Sequence, residues 1–188
     1  MTGPEDLQAR AAAGDSRAFS QLMQGSKARL YRFVRRYVGD ADEAYDLVQE
    51  AYAAAWLAIR RYDPARPFEA WLYRIAINKC RDWSRRRRVR RWLLSAGDLT
   101  TPEAMAVADG ARDASEALAT AQALARLGQA ITALPPQLKE PLILTAIEER
   151  SQAETALMLG ISVKTVETRV ARARHRLADT LAGLRATD

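Results

Sequence analysis

The chain has 188 residues, 48% of them hydrophobic, and a formal net charge of +6 at pH 7. That is enough apolar material for one ordinary domain or two small ones, and the basic balance asks for a polyanionic partner, nucleic acid or an anionic membrane surface. A single cysteine, Cys80, and a single histidine, His175, exclude an internal disulfide and a typical zinc site, and no glycine-rich phosphate loop occurs, so the residues support neither catalysis nor a cofactor.

Taken in chain order, nearly every periodic stretch reads as helix. Alternating β-branched runs and Asn-Gly hairpin turns are missing, so the expected fold class is all-α. Residues 5–13 make a short helix ended near Gly14. Asp15 or Ser16 caps the next, which points Phe19 and Leu22 inward. Residues 26–38 continue on Leu30, Tyr31, Phe33, Val34 and Val38 and stop at Gly39. Asp40 caps a helix running to about Arg60. Its apolar stripe is Ala44, Leu47, Val48, Ala51 and Ala55, while Asp42, Glu43, Asp46, Gln49 and Glu50 gather elsewhere on its surface. Such an acidic face suits a basic partner protein, although acids in a first turn also simply complement the helix dipole.

Residues 61–67 hold two prolines, Pro64 and Pro67, and read as a loop. A long helix follows from Phe68 to about Trp92, with Trp71, Tyr73, Trp83 and Trp92 among its basic residues. From Arg74 to Arg91 there are nine Lys/Arg and one acid. Arginines hold phosphates and aromatic faces accept unstacked bases, so the run suits nucleic acid, with Trp71 and Trp83 expected in the core. The stretch from Ser95 to Asp113 has no apolar stripe and reads as a linker. From Leu93 to Leu118 there are five acids and one base.

A further helix from about Asp113 to Thr132 precedes Leu134-Pro135-Pro136. Two short helical patterns then meet at Leu159-Gly160-Ile161-Ser162. Gly160 supplies the left-handed residue that ends the first, and Ser162 caps the second. Val163, Val166, Val170, Ala173 and Leu177 fall on one face of the second helix. Lys164, Thr165, Thr168, Arg169, Arg172 and Arg176 fall on the others. An apolar back with a basic, hydroxyl-bearing front after a tight turn is how a helix-turn-helix enters the major groove. The opening residues lack a basic stretch followed by an apolar core. The longest apolar run, Ala51–Ile59, is too short to span a bilayer, so a cytoplasmic protein without stable membrane insertion is expected.

The order Asp46-Leu47-Val48-Gln49-Glu50, Tyr62-Asp63-Pro64, Pro67-Phe68-Glu69-Ala70-Trp71-Leu72-Tyr73-Arg74-Ile75-Ala76, Asn78, Asp82 and Arg85-Arg86, then a linker, then Leu134-Pro135-Pro136 and Leu159-Gly160-Ile161-Ser162-Val163-Lys164-Thr165-Val166 with Arg169 and Arg172, resembles the extracytoplasmic function group of bacterial RNA polymerase sigma factors. The resemblance covers most of residues 7–92 and 118–182. It implies two small helical domains joined by a flexible acidic linker: 5–92 for core polymerase binding and minus-ten recognition and melting, 93–113 as the linker, and 114–186 as a helix-turn-helix domain for the minus-thirty-five element. The implied partners are bacterial core RNA polymerase, promoter DNA and a cognate anti-sigma factor, with no small-molecule substrate. Asp46, Gln49 and Glu50 would bind the polymerase clamp. Tyr62, Asp63, Arg66, Asn78, Asp82, Arg85 and Arg86 would serve the minus-ten element. Ser162, Lys164, Thr165, Thr168, Arg169 and Arg172 would serve the minus-thirty-five element.

The sequence departs from the family pattern at Tyr45, where an acid is common. It departs again at Arg150, Gln152 and Thr155, which replace apolar or aromatic residues around the first helix of the helix-turn-helix, and at Glu167, where a base is common. Two other readings use only part of the chain. A stand-alone helix-turn-helix repressor or activator explains 134–177 and leaves the acidic helix and the linker without a task. A membrane-surface scaffold uses only the arginine run.

Overall fold

The computed structural model describes residues 4–95 and 112–185, and among them every regular element is a helix. Helix α1 spans Pro4–Ala12, α2 Ser16–Val38, α3 Ala41–Ala58 and α4 Phe68–Ser95, with a 3-10 turn at Ile59–Arg61. After residues 96–111 come α5 (Arg112–Ala133), α6 (Pro136–Leu142), α7 (Gln152–Leu159) and α8 (Val163–Arg185), with a wide π turn at Ile143–Ile147 between α6 and α7. The long basic helix runs to Ser95, three residues beyond its expected end. The linker expected at 93–113 falls largely outside the described residues.

The caps follow from the sequence. Asp15 accepts from the backbone N–H groups of Arg17 and Ala18, and Asp40 from those of Asp42 and Glu43, so each satisfies orphan donors at a helix start. These bonds hold the Asp40 carboxyl below the usual carboxylate range, the Glu43 N–H contributing most. Gly39 closes α2 at φ 86, a left-handed conformation.

In the first domain α2, α3 and α4 pack on one another around Leu30, Phe33, Val34, Leu47, Val48, Leu72 and Ile77, all buried. Trp83 is buried as expected, and its indole N–H donates to Glu43 at 2.7 Å. Trp71, expected in the core, is only partly buried. The second domain closes over Leu138, Leu142, Ile143, Leu144, Met158, Val166 and Ala173. Pro141 sits inside α6 and has no N–H to give, and the chain widens directly after it into the π turn, where the Glu148 N–H reaches back to the Ile143 carbonyl.

The two domains are packed together. Helix α4 lies against α7 and α6, and α2 against α5 and the π turn. Close approach is visible at Gly39, where a Cβ would stand 3.1 Å from the Thr132 hydroxyl of α5.

Candidate functional site

Three surfaces carry the charged residues that the sequence singles out, and each is set by a helix whose other side is core. On α3, Ala44, Leu47, Val48, Ala51 and Ala55 are buried, which turns Asp46, Gln49 and Glu50 outward. Continuing by helical steps along the same outer side are Ala53, Trp56 and Leu57, the last of them 86% exposed. The stripe is acidic at one end and apolar at the other, the pattern an amphipathic helix of a partner would match. Glu50 accepts from Lys79 at 3.2 Å. Glu43, which the sequence groups with this face, is engaged by Trp83 instead.

The second surface is the 62–67 loop and the outer side of α4. Tyr62, expected to meet DNA, is 4% exposed. Its ring packs edge-on to Phe68 and tilted on Trp71 at 5.0 Å, and its hydroxyl lies 2.6 Å from Gln8 Oε1 and 2.5 Å from the Arg66 carbonyl. Burial pushes this phenol up to about 12. Phe68, Trp71, Gln8 and the Arg66 carbonyl together hold Tyr62 inward, so its ring is not presented on this surface. Asp63 and Arg66 remain on the surface, 3.4 Å apart, with Asp63 also accepting from the Ala65 N–H. Along α4, Asn78, Asp82, Arg85 and Arg86 are exposed, and Arg85 reaches Asp82 at 2.8 Å. Arg87 lies over the Trp83 ring at 5.1 Å.

The third surface is the helix-turn-helix. Ser151 and Glu154 form a reciprocal capping box at the start of α7, Gly160 ends α7 at φ 67, and the Ser162 hydroxyl accepts from the Thr165 N–H to start α8. Val166, Ala173 and Leu177 are buried, so the back of α8 is as expected except that Val163 is 41% exposed. Ser162, Lys164, Thr168 and Arg172 are exposed, and Thr165 and Arg169 are half-buried. Thr168 donates to the Lys164 carbonyl, which leaves its oxygen lone pairs outward. Side chains of this kind at the front of a second helix can bond base edges and phosphates.

A cleft of about 1330 Å³ opens between α2, α4 and α5, with Arg32, Arg35, Arg36, Arg87, Arg88 and Lys139 on its walls. Lys139 is buried, donates to the Tyr37 and Thr132 carbonyls and stands 4.3 Å from the Tyr37 ring centre. Burial lowers it from 10.5 to about 8. Sequence reasoning missed Lys139, Glu140 and Arg81 as interacting residues. Nothing in a single sequence marks two charges 59 positions apart as partners.

A sigma-70 region 2 model matches residues 22–90, and a sigma-70 region 4 model matches residues 124–177. The chain is 41% identical over 183 residues to RNA polymerase sigma factor CnrH of Cupriavidus metallidurans, covering 95% of this chain and 96% of that one. It is 32% identical to ECF RNA polymerase sigma factor SigW of Bacillus subtilis, covering 91% and 92%. The structure of CnrH in complex with the cytosolic domain of CnrY is similar at a TM-score of 0.68 over 95% of this chain and 97% of that one. The sigma factor RpoE in complex with the anti-sigma factor NepR from Bartonella quintana is similar at 0.63, with 27% identity over 87% and 96%.

Proposed function

The chain belongs to the extracytoplasmic function group of RNA polymerase sigma factors, and from that premise we propose how its own residues divide the work of promoter-specific initiation. The observation that carries the proposal is the coexistence, on one chain, of an outward acidic stripe on α3 and an outward basic, hydroxyl-bearing face on α8. Asp46, Gln49 and Glu50 bind core polymerase, and the exposed Trp56 and Leu57 extend that contact. Asp63, Arg66, Asn78, Asp82, Arg85 and Arg86 serve the minus-ten element, with Tyr62 and Trp71 holding the loop from beneath. Ser162, Lys164, Thr165, Thr168, Arg169 and Arg172 serve the minus-thirty-five element.

No covalent step is assigned to the protein. Arginine–phosphate contacts position the duplex, the front of α8 chooses the upstream element, and capture of an unstacked base offsets part of the cost of opening. The protein works in the cytoplasm, where polymerase and DNA are. Among the described residues no helix is long and apolar enough to cross a membrane. Likeness to a sigma factor held by an anti-sigma factor supports control by such a partner. The basic cleft between the domains is a surface that would attract an acidic segment.

The test is transcription in vitro from a genomic DNA library by bacterial core polymerase with and without this protein. New start sites sharing two spaced elements are expected. A footprint by the protein alone, with no new initiation, would replace this reading with a stand-alone repressor or activator.

A further inference from the structure

The exposed side of α8 extends beyond its basic front. From Val163 to Arg172 the outward residues are Val163, Lys164, Glu167, Thr168, Ala171 and Arg172, whereas Thr165 and Arg169 are half-buried. The outward arc therefore reaches past Lys164 and Thr168 to Glu167. Val163, 41% exposed although apolar, belongs to it. Residues four apart are neighbours on a helix surface, so Val163, Glu167 and Ala171 form one stripe with the acid in the middle. Lys164, Thr168 and Arg172 form the stripe alongside.

Glu167 is the one acid between Val163 and Arg176, a stretch with five Lys and Arg. It is exposed and makes no hydrogen bond or ion pair among the described residues. As the fifth residue of α8 it lies in the N-terminal part that a recognition helix presents to base edges. A phosphate cannot be its target, because like charges repel, and Lys164 and Arg172 beside it already suit phosphates. What a carboxylate can bond in the major groove is a donor. Cytosine presents its N4 amine there with no acceptor beside it. The amine of adenine stands next to the N7 acceptor, and guanine and thymine present acceptors. Val163 and Ala171 on either side lay apolar surface against the groove, where a bond to the carboxylate competes with less water.

We propose that Glu167 is a specificity-determining residue that accepts a hydrogen bond from a cytosine amine in the minus-thirty-five element. It selects in two ways. It bonds the right base, and it repels both the acceptors of wrong bases and the phosphates of duplexes that offer no amine in that place. An acid on an otherwise basic helix thus lowers affinity for DNA in general and raises discrimination among sequences. This rests on the sigma-factor reading.

The experiment is initiation by the full chain with core polymerase from promoters whose minus-thirty-five element is randomised, followed by sequencing of the templates used. One position should favour cytosine about tenfold over each other base. Glu167→Gln should switch that position to adenine, because a glutamine amide pairs with N6 and N7, and Glu167→Arg should switch it to guanine. The other positions should keep their bases. Glu167→Ala should lose the preference, and as the free chain it should bind a duplex without the element more tightly than wild type does. Glu167→Gln keeps the shape of the side chain, so it decides the matter if a larger replacement fails to fold. Variants that keep the cytosine, or that lower initiation equally from every template, would overturn the proposal. A wild type that starts no transcripts would refute the sigma reading. Enrichment of random duplexes by the full chain alone then decides: the same switch from cytosine to adenine would leave the base contact standing, and its absence would overturn it.

Discussion

At the scale of single residues, Tyr62 separates anchoring from contact. Its ring is locked between Phe68 and Trp71, and its hydroxyl shares one proton between Gln8 and the Arg66 carbonyl. Tyr62→Phe removes a partly buried hydrogen bond and should lower stability by about 1 kcal/mol, or a melting shift of roughly 2–4 °C for a chain of this size. Arg86→Ala, exposed on α4, should leave melting unchanged and weaken promoter binding. Equal melting of Tyr62→Phe and wild type would show that the hydroxyl does not hold the loop. Lys139 gives a pH test. Burial lowers it from 10.5 to about 8, with Arg87 adding to the lowering and Glu140 opposing it. Between those values the unfolded chain binds a proton that the folded chain does not, so this residue's contribution to stability rises as pH goes up from about 8 towards 10.5. The melting difference between wild type and Lys139→Met should therefore move in favour of the wild type from pH 7 to pH 10. A difference flat across that range would show that Lys139 does not titrate as its burial demands.

Among the helices, the most legible features are those written locally. Asp40 and Gly39, and Gly160 and Ser162, sit at the helix ends where side-chain capping and left-handed glycine chemistry put them. The alternation of apolar and charged residues is enough to turn Asp46, Gln49 and Glu50 outward. The Ser151–Glu154 capping box is equally written, as a serine with a glutamate three residues on, but escapes a reading by periodicity because Gln152 and Thr155 break the apolar stripe beside it. Ser151→Ala should cost about 1 kcal/mol and lower the melting temperature by roughly 2–4 °C. It should weaken minus-thirty-five recognition only as far as α7 frays, read as loss of protection of the 151–160 amides from hydrogen exchange. Unchanged protection would mean that tertiary packing alone holds α7. What is not legible depends on partners far apart in sequence. The burial of Tyr62 needs Gln8, the engagement of Glu43 needs Trp83, and Arg150 makes sense only beside Glu69 and Tyr73. A periodicity reports which side of a helix is wet or dry, and is silent on which other helix dries it.

For the whole molecule, the proposed tasks fall on surfaces of opposite charge, acidic on α3 and basic on α4 and α8. The acidic stripe of α3 and the basic front of α8 lie on different helices, and the stripe meets the basic side of α4 at the exposed Glu50–Lys79 pair. Asp46→Arg with Glu50→Arg reverses the stripe at positions that are exposed. Its expected result is loss of core polymerase binding, while the free protein's salt-dependent affinity for non-specific duplex stays the same or rises. Arg85→Ala with Arg86→Ala should do the reverse. Removing one arginine–phosphate bond flattens the dependence of log affinity on log salt by about 0.9. With both arginines replaced, the slope for promoter complexes should fall by up to about 1.8, with polymerase affinity unchanged. The paired outcome is what discriminates. Were the acidic stripe only a solvated surface, its reversal would leave polymerase binding intact. Were the arginines only a solvated run, the salt slope would not move. A protein in which both changes weakened both activities would have one continuous binding face, joined where Glu50 of α3 meets Lys79 of α4.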